Sequence, residues 1–279
     1  MSIVVENVSK QFITKHNMTH TLEKINLEFK TGEFVCILGP SGCGKSTLLN
    51  IIAGLEKTTK GRILVNGKEI KGAGSDRAVM FQESALFPWL RVIDNVEFGM
   101  KMAGISKEER REKALKYLKM VHLTKFQNSF IHELSGGMKQ RVALARALTL
   151  DSEVLLMDEP FASLDSQTKS ILQYELQKIW LETGKTIIFI THNVEESVFL
   201  ADRVIVMSAN PGTVKTEFRI QLGRPRRSEN LDLAYMVAAI MKELKEEVEK
   251  VAKAEYDNDW SIEENILLPN SDNYMGDGL

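Results

Sequence analysis

The chain has 279 residues, 43% hydrophobic and 27% charged, with a net charge of −2: enough for one large domain with appendages, and no global field that would favour nucleic acid. Its two cysteines make no disulfide framework, and no apolar run approaches the roughly 20 residues needed to span a bilayer. The stretch Met1 to Glu6 lacks a basic region followed by a long apolar one, so the expectation is a chain kept in the cytosol that meets a membrane only through a partner.

Residues 3–8 and 22–29 read as short strands, with the polar stretch Lys15 to His20 as a hairpin loop. Phe12 stands just before that loop. Two readings stay open for it: a core side chain, or a flat platform on which adenine stacks. The apolar run Phe34 to Leu38 leads into Gly39-Pro40-Ser41-Gly42-Cys43-Gly44-Lys45-Ser46-Thr47, and a second apolar run starts at Leu48. Strand, glycine loop and helix in that order fit the phosphate-binding pattern G-x-x-x-x-G-K-[ST]. The glycines let successive N–H groups turn inward, and the helix presents its positive end to the same anion. Lys45 then reaches the β- and γ-phosphates of ATP, and Ser46 holds Mg²⁺.

Gly61 to Ile70 reads as a hairpin turning at Asn66-Gly67, completing an antiparallel sheet with the first strands. Ala78 to Phe81 is a buried strand ending at Gln82, for which two readings stay open: a polar loop residue, as is usual at a strand end, or, following a P-loop at this distance, one that reaches the metal and the attacking water. Residues 83–150 change character. An apolar loop, Ala85 to Leu90, precedes helices over Val92–Met102 and 106–121, the second opened by a capping box at Ser106. Leu134-Ser135-Gly136-Gly137-Met138 then forms a second glycine loop at a helix N-terminus, with no lysine.

Val154 to Met157 is a buried strand ending in Asp158 and Glu159. Asp158 suits a second Mg²⁺ anchor, and Glu159 can activate or orient water. Ser163-Leu164-Asp165 caps a helix that runs to about Glu182 and ends at Gly184. Thr186 to Ile190 is another buried strand, closing on His192 at the strand edge where α/β sites gather. Val204 to Met207 is the last parallel-type strand. From about 231 to 254 the apolar residues Leu233, Val237, Ile240, Leu244, Val248 and Val251 step by three or four, which predicts an amphipathic helix with these on its packed face; from Asp257 the chain reads as a poorly ordered tail.

These motifs, over about residues 3–220, resemble in order those of an ATP-binding-cassette (ABC) ATPase, the nucleotide-binding subunit of an ABC transporter. They are the P-loop at 39–47, the Q-loop Gln82, the signature 134–138, Walker B with Asp158 and Glu159, the D-loop Asp165 and the switch His192. The resemblance implies an α/β fold: a P-loop NTPase core with a mostly parallel sheet, an N-terminal antiparallel β subdomain, and an inserted helical subdomain at about 86–150. Residues 1–223 would be the cassette and 224–279 an extension. It also implies a homodimer sandwiching ATP, in which Ser135, Gly136 and Gly137 act on the partner's nucleotide. Glu159, His192 and Gln82 would be catalytic, residues 39–47 with Phe12 would bind ATP, and Ser46, Gln82 and Asp158 would hold Mg²⁺. Permease subunits would be direct partners, with Phe87-Pro88-Trp89 in the groove that receives them, and a solute-binding protein an indirect one; nucleic acid would not be a partner. The place of work would be the cytoplasmic side of the inner membrane.

The general signature ends in Gln where this chain has Met138. That feature, with Phe81 to Trp89, is similar to the nitrate, sulfonate and taurine importer branch, and so implies a small anion as cargo. A repair or translation ATPase would carry two cassettes or a long coiled-coil insert. A metabolite kinase would not need signature, D-loop and switch His together.

Overall fold

Four runs of five residues are almost wholly apolar: Phe34–Leu38, Val154–Asp158, Thr186–Ile190 and Arg203–Met207. Such runs are stable as strands where both faces are covered, as in a parallel sheet. The computed structural model, which describes residues 1–13, 18–226 and 231–255, places all four in one sheet. In chain order the elements are β1 (Ile3–Ile13), β2 (Met18–Phe29), β3 (Phe34–Leu38), α1 (Lys45–Ala53), β4 (Lys60–Val65), β5 (Lys68–Glu69), β6 (Arg77–Met80), α2 (Val92–Met102), α3 (Lys107–Met120), α4 (Gly136–Thr149), β7 (Val154–Asp158), α5 (Ser166–Thr183), β8 (Thr186–Ile190), α6 (Val194–Leu200), β9 (Arg203–Met207), β10 (Val214–Arg219) and α7 (Leu231–Glu255).

The large sheet has the order β10-β9-β3-β8-β7-β6, parallel except for β10. Side chains alternate along each strand, so every strand feeds two cores. Phe34, Cys36, Leu155, Met157, Ile187 and Phe189 pack with residues of α2 to α6. Val35, Ile37, Leu156, Ile188 and Ile190 pack with α1 and the second sheet. That second sheet is antiparallel, in the order β2-β1-β4-β5. Its β4–β5 turn has Asn66 and Gly67 both at positive φ, 50° and 75°, as a two-residue hairpin requires. Helices α2, α3 and α4 lie between β6 and β7 in the chain. The expected α/β class, with its antiparallel part and inserted helices, is what forms.

Local differences have physical reasons. β1 and β2 pair out to Ile13 and Met18, beyond the expected 3–8 and 22–29. This arm projects past the core and exposes Phe12, Ile13 and Met18, so it carries no burial pattern to read. Residues 18–20 of the expected loop are strand, and 14–17 lie outside the described residues. β6 stops at Met80, and Phe81 is exposed. β10 has no counterpart in the sequence reading. Its residues, Val-Lys-Thr-Glu-Phe-Arg, are mostly polar, which an edge strand tolerates.

Helix α7 packs on α6 and β9. Leu233 and Ile240 are buried, but Val248 is exposed and Glu247 takes an inward place instead. The cause is Lys215 on β10, whose Nζ lies 2.7 Å from Glu246, 3.1 Å from Glu243 and 3.3 Å from Glu247. Burial works to raise the Glu247 pKa, yet the bonds from Lys250 and Lys215 win and hold it below its ordinary value. Contact with Lys215 lowers Glu246 as well. The tail expected from Asp257 lies outside the described residues.

Replacing Lys215 by Met should therefore loosen α7 selectively. Hydrogen exchange of α7 amides is expected to quicken about tenfold while the sheet is unchanged. In the native chain the clamp is complete above the ordinary carboxylate pKa of about 4.3 and is lost as pH falls through the lowered values of Glu246 and Glu247. Protection factors of α7 amides, corrected for the intrinsic pH dependence of exchange, should thus be steady down to pH about 4 and fall below it.

Candidate nucleotide site

β3 ends at Leu38 and α1 begins at Lys45, with the glycine loop between them. Gly42 and Gly44 take φ of 76° and 91°, a region where a side chain is strained. Gly39 is required by space: a Cβ there would stand 2.7 Å from the Cys43 sulfur and 3.0 Å from the Met207 carbonyl. The first turn of α1 has no acidic side chain and no side-chain cap, so its leading N–H groups are available to an anion. Lys45 is buried, and its ammonium donates to the carbonyls of Gly39 at 2.8 Å and Pro40 at 2.9 Å. Ser41 and Ser46 are exposed and Thr47 is half-buried, whereas Cys43 turns inward, where burial raises its thiol pKa.

Register brings the other candidates to the same edge. Asp158, the last residue of β7, pairs with Ile190 of β8. It is 8% exposed, and its Oδ1 is buried with no hydrogen-bond partner. Burial raises its pKa, and the Ser46 hydroxyl beside it works the other way. A buried carboxylate oxygen left bare is costly, by about 1–3 kcal/mol or more, unless something binds it. No group of three or more His, Cys, Asp or Glu among the described residues is arranged to hold a metal ion. One carboxylate and one hydroxyl instead fit Mg²⁺, which takes its remaining oxygens from phosphate and water.

Glu159 sits at φ 45°, and its N–H donates to the Ile190 carbonyl at 3.0 Å. This strained turn aims its carboxylate at the next loop, where Oε2 lies 3.1 Å from Nδ1 of His192. His192 follows β8, whose end is tied to β3 by the bond from Thr191 N–H to the Ile37 carbonyl at 3.3 Å. Gln82 lies two residues past Met80, which is level with Met157 in the sheet; its side chain is exposed. P-loop, Asp158, Glu159, His192 and Gln82 are therefore neighbours at the C-terminal ends of four strands.

The signature residues stand elsewhere, at the start of α4. Ser135 caps that helix, its Oγ accepting from Met138 N–H at 3.3 Å. Ser135 and Gly136 are exposed, and a Cβ on Gly136 would meet nothing within 4 Å. A Cβ on Gly137 would come within 3.2 Å of Leu164 in the D-loop. Asp165 caps α5, accepting from Thr168 N–H at 2.9 Å, and that bond lowers its pKa. Phe12 is 39% exposed, which rules out the core role, and the Lys10 ammonium lies 4.7 Å from its ring centre. Lys10 pairs in register with Leu22 of β2, the residue that a Cβ on Gly44 would strike, so Phe12 lies on β1, the strand paired with the one that flanks the P-loop.

Three residues that hold the site are not visible in the sequence reading. Gln140 of α4 donates to the Gln82 carbonyl at 3.2 Å. Arg146 of the same helix donates to the carbonyls of Ala85 at 2.9 Å and Ser84 at 3.0 Å. Both are polar residues in a helix, with nothing local to mark them. Asn95 is fully buried; it accepts from Phe87 N–H at 2.9 Å and donates to the Phe87 carbonyl at 3.1 Å, fixing the loop that leaves Trp89 70% exposed. An Asn among apolar residues in the first turn of a helix was the available signal.

The chain is similar to known proteins over most of its length. Residues 22–162 match the family described as ABC transporter. The nitrate import ATP-binding protein NrtD of Synechocystis is 49% identical over 80% of this chain and 84% of its own length. The taurine import ATP-binding protein TauB of Rhizobium johnstonii is 44% identical over 88% of this chain and 95% of its own. A dimeric structure of a bacterial ABC transporter cassette superposes with a TM-score of 0.74 at 35% identity, covering 79% of this chain and all of that one. With its P-loop, strand-tip carboxylates and exposed signature helix in these places, the chain belongs to the ABC transporter family as one of its ATP-binding cassettes.

Proposed function

We propose that this chain is the Mg²⁺-dependent ATPase subunit of an importer for a small anion such as nitrate, a sulfonate or taurine. The observation that carries the ATPase reading is the Glu159–His192 pair at 3.1 Å beside the bare Asp158 oxygen and the P-loop. The cargo class rests on likeness to nitrate and taurine import subunits along most of their length.

In this reading the N–H groups of Gly39 and of residues 41–45, with the Lys45 ammonium, hold the β- and γ-phosphates, and Phe12 offers its ring to adenine. Ser46, Asp158 and Gln82 would hold Mg²⁺, which supplies charge neutralisation at the phosphate oxygens. Glu159 takes the proton of the attacking water. With its proton on Nδ1, His192 donates to Glu159; doubly protonated, it also donates from Nε2 toward the γ-phosphate. Ser135 uses an oxygen lone pair as a cap, which leaves its O–H free to donate. With Gly136 and Gly137 it would complete the site of a second copy facing head to tail, so that ATP becomes part of the dimer contact. Asp165 and the D-loop lie beside that contact. Residues 1–223 would act as the cassette, with the helical part at about 86–150, and 224–279 as an extension. The Phe87-Pro88-Trp89 loop would receive the permease, with a solute-binding protein acting through it, at the cytoplasmic face of the inner membrane. Among the described residues no helix is long and apolar enough to cross a membrane.

Glu159→Gln should keep ATP binding, lower kcat about a hundredfold or more, and trap an ATP-bound dimer detectable by gel filtration; near-native turnover would remove Glu159 from the chemistry. Chelating Mg²⁺ should stop hydrolysis. Asp158→Asn should raise the Mg²⁺ concentration needed for half-maximal rate by roughly ten- to a hundredfold, as read in a metal titration. Trp89→Asp should weaken permease co-purification about tenfold or more while hydrolysis by the isolated chain is unchanged. Uptake assays on the assembled complex, comparing nitrate, a sulfonate, taurine and a neutral sugar, test the cargo; uptake of the sugar alone would overturn it.

A further inference from the structure

The loop that carries His192 is held by a buried carboxylate that the catalytic scheme does not use. Glu196, in the first turn of α6, is 4% exposed. Its Oε2 accepts the Thr191 hydroxyl. Its Oε1 accepts from Gln173 Nε2 at 2.9 Å, and the Lys169 ammonium lies 3.3 Å from the same oxygen, both partners reaching over from α5. On the far side of His192, Asn193 Oδ1 accepts from the Glu196 N–H at 2.8 Å, and the Asn193 N–H donates to Thr191 Oγ1 at 3.0 Å. Both neighbours of His192 are thus tied to one residue. The imidazole itself is exposed, and its contact with Glu159 is a single one.

Capping α6 needs only Asn193. Burying a carboxylate as well is costly unless its partners are fixed, and once fixed they lock whatever they touch. We propose that Glu196 is a positioning residue for His192. It sets the backbone on both sides of the ring, so that Nδ1 stays on Glu159 and Nε2 faces the γ-phosphate. Through Lys169 and Gln173 it also joins this loop to α5, the helix that Asp165 caps. The proposal rests on the reading of His192 given above.

The test is steady-state ATP hydrolysis by the full chain, with melting temperature recorded for every variant. Glu196→Gln and Thr191→Val are each made alone and combined with His192→Ala. Each single variant should lower kcat roughly ten- to a hundredfold, the penalty of a misplaced catalytic group, with the KM for ATP changed by less than about twofold. Thr191→Ser, which keeps the hydroxyl, should retain the native rate. In the His192→Ala background neither change should lower kcat further, because the effect runs through the missing ring. An equal fall in both backgrounds would reduce Glu196 to a stabilising role and overturn the proposal, as would native kcat in folded Glu196→Gln and Thr191→Val. If Glu196→Gln does not fold, the near-isosteric Thr191→Val decides alone. Native kcat in His192→Ala itself would instead overturn the reading of His192, an outcome separate from the others.

Discussion

The parallel sheet, buried on both faces, is the constraint from which the site follows. Strands β3, β8, β7 and β6 run in the same direction and in fixed register, so their C-terminal ends finish at one edge. A one-residue slip of β7 against β8 would turn Leu156 away from its core and carry Asp158 and Glu159 out of reach of Ser46 and His192. Core packing and catalytic geometry are therefore the same restraint. The alternating split of Phe34 and Val35, or of Leu155 and Leu156, between two cores is what makes that register costly to change.

On this rigid edge the structure hangs parts that are tied to one another. Helix α4 begins at the signature glycines and, further along, holds the carbonyls of Gln82, Ser84 and Ala85 through Gln140 and Arg146. Arg146 is partly desolvated, which lowers its pKa, yet guanidinium remains charged under any physiological condition. The grip is thus constant, and the signature loop and the Q-loop form one body. Asn95 extends that body to the loop bearing Trp89. A displacement felt at Trp89 has a continuous covalent and hydrogen-bonded route to the Q-loop and to the signature loop at the start of α4.

What was legible in the sequence is what is local. The P-loop needs neighbouring residues in a set order, and the buried strands betray themselves by unbroken apolar runs. Strand-tip residues such as Asp158 and His192 could be placed because register is implied by burial. What was not legible depends on partners far along the chain. Gln140 reaches back 58 residues and Glu196 reaches Gln173 across 23. β10 was missed because an edge strand needs little apolar material. The inward face of α7 was misjudged at Val248 because Lys215, more than 30 residues away, makes Glu247 the better occupant. Phe12 could not be decided from its neighbours, since the arm it sits on buries little.

The unfilled demands of this chain fall in complementary places. The P-loop edge offers N–H groups, the Lys45 ammonium and a bare carboxylate oxygen, all suited to Mg²⁺ and the near side of a triphosphate. The start of α4 has the opposite character: an exposed helix N-terminus, a capping hydroxyl with its proton free, and at Gly136 a glycine for which the chain itself has no steric need. A Cβ at Gly137, by contrast, would press on Leu164, so one glycine answers to the fold and its neighbour to something outside it. Within one rigid chain these two surfaces are held apart by the elements that position them. In the function proposed above, two copies turned head to tail would satisfy both at once, with a triphosphate in each joint. The nucleotide would then be a structural element of the dimer, and breaking its γ-phosphate bond would remove the contact that closed it.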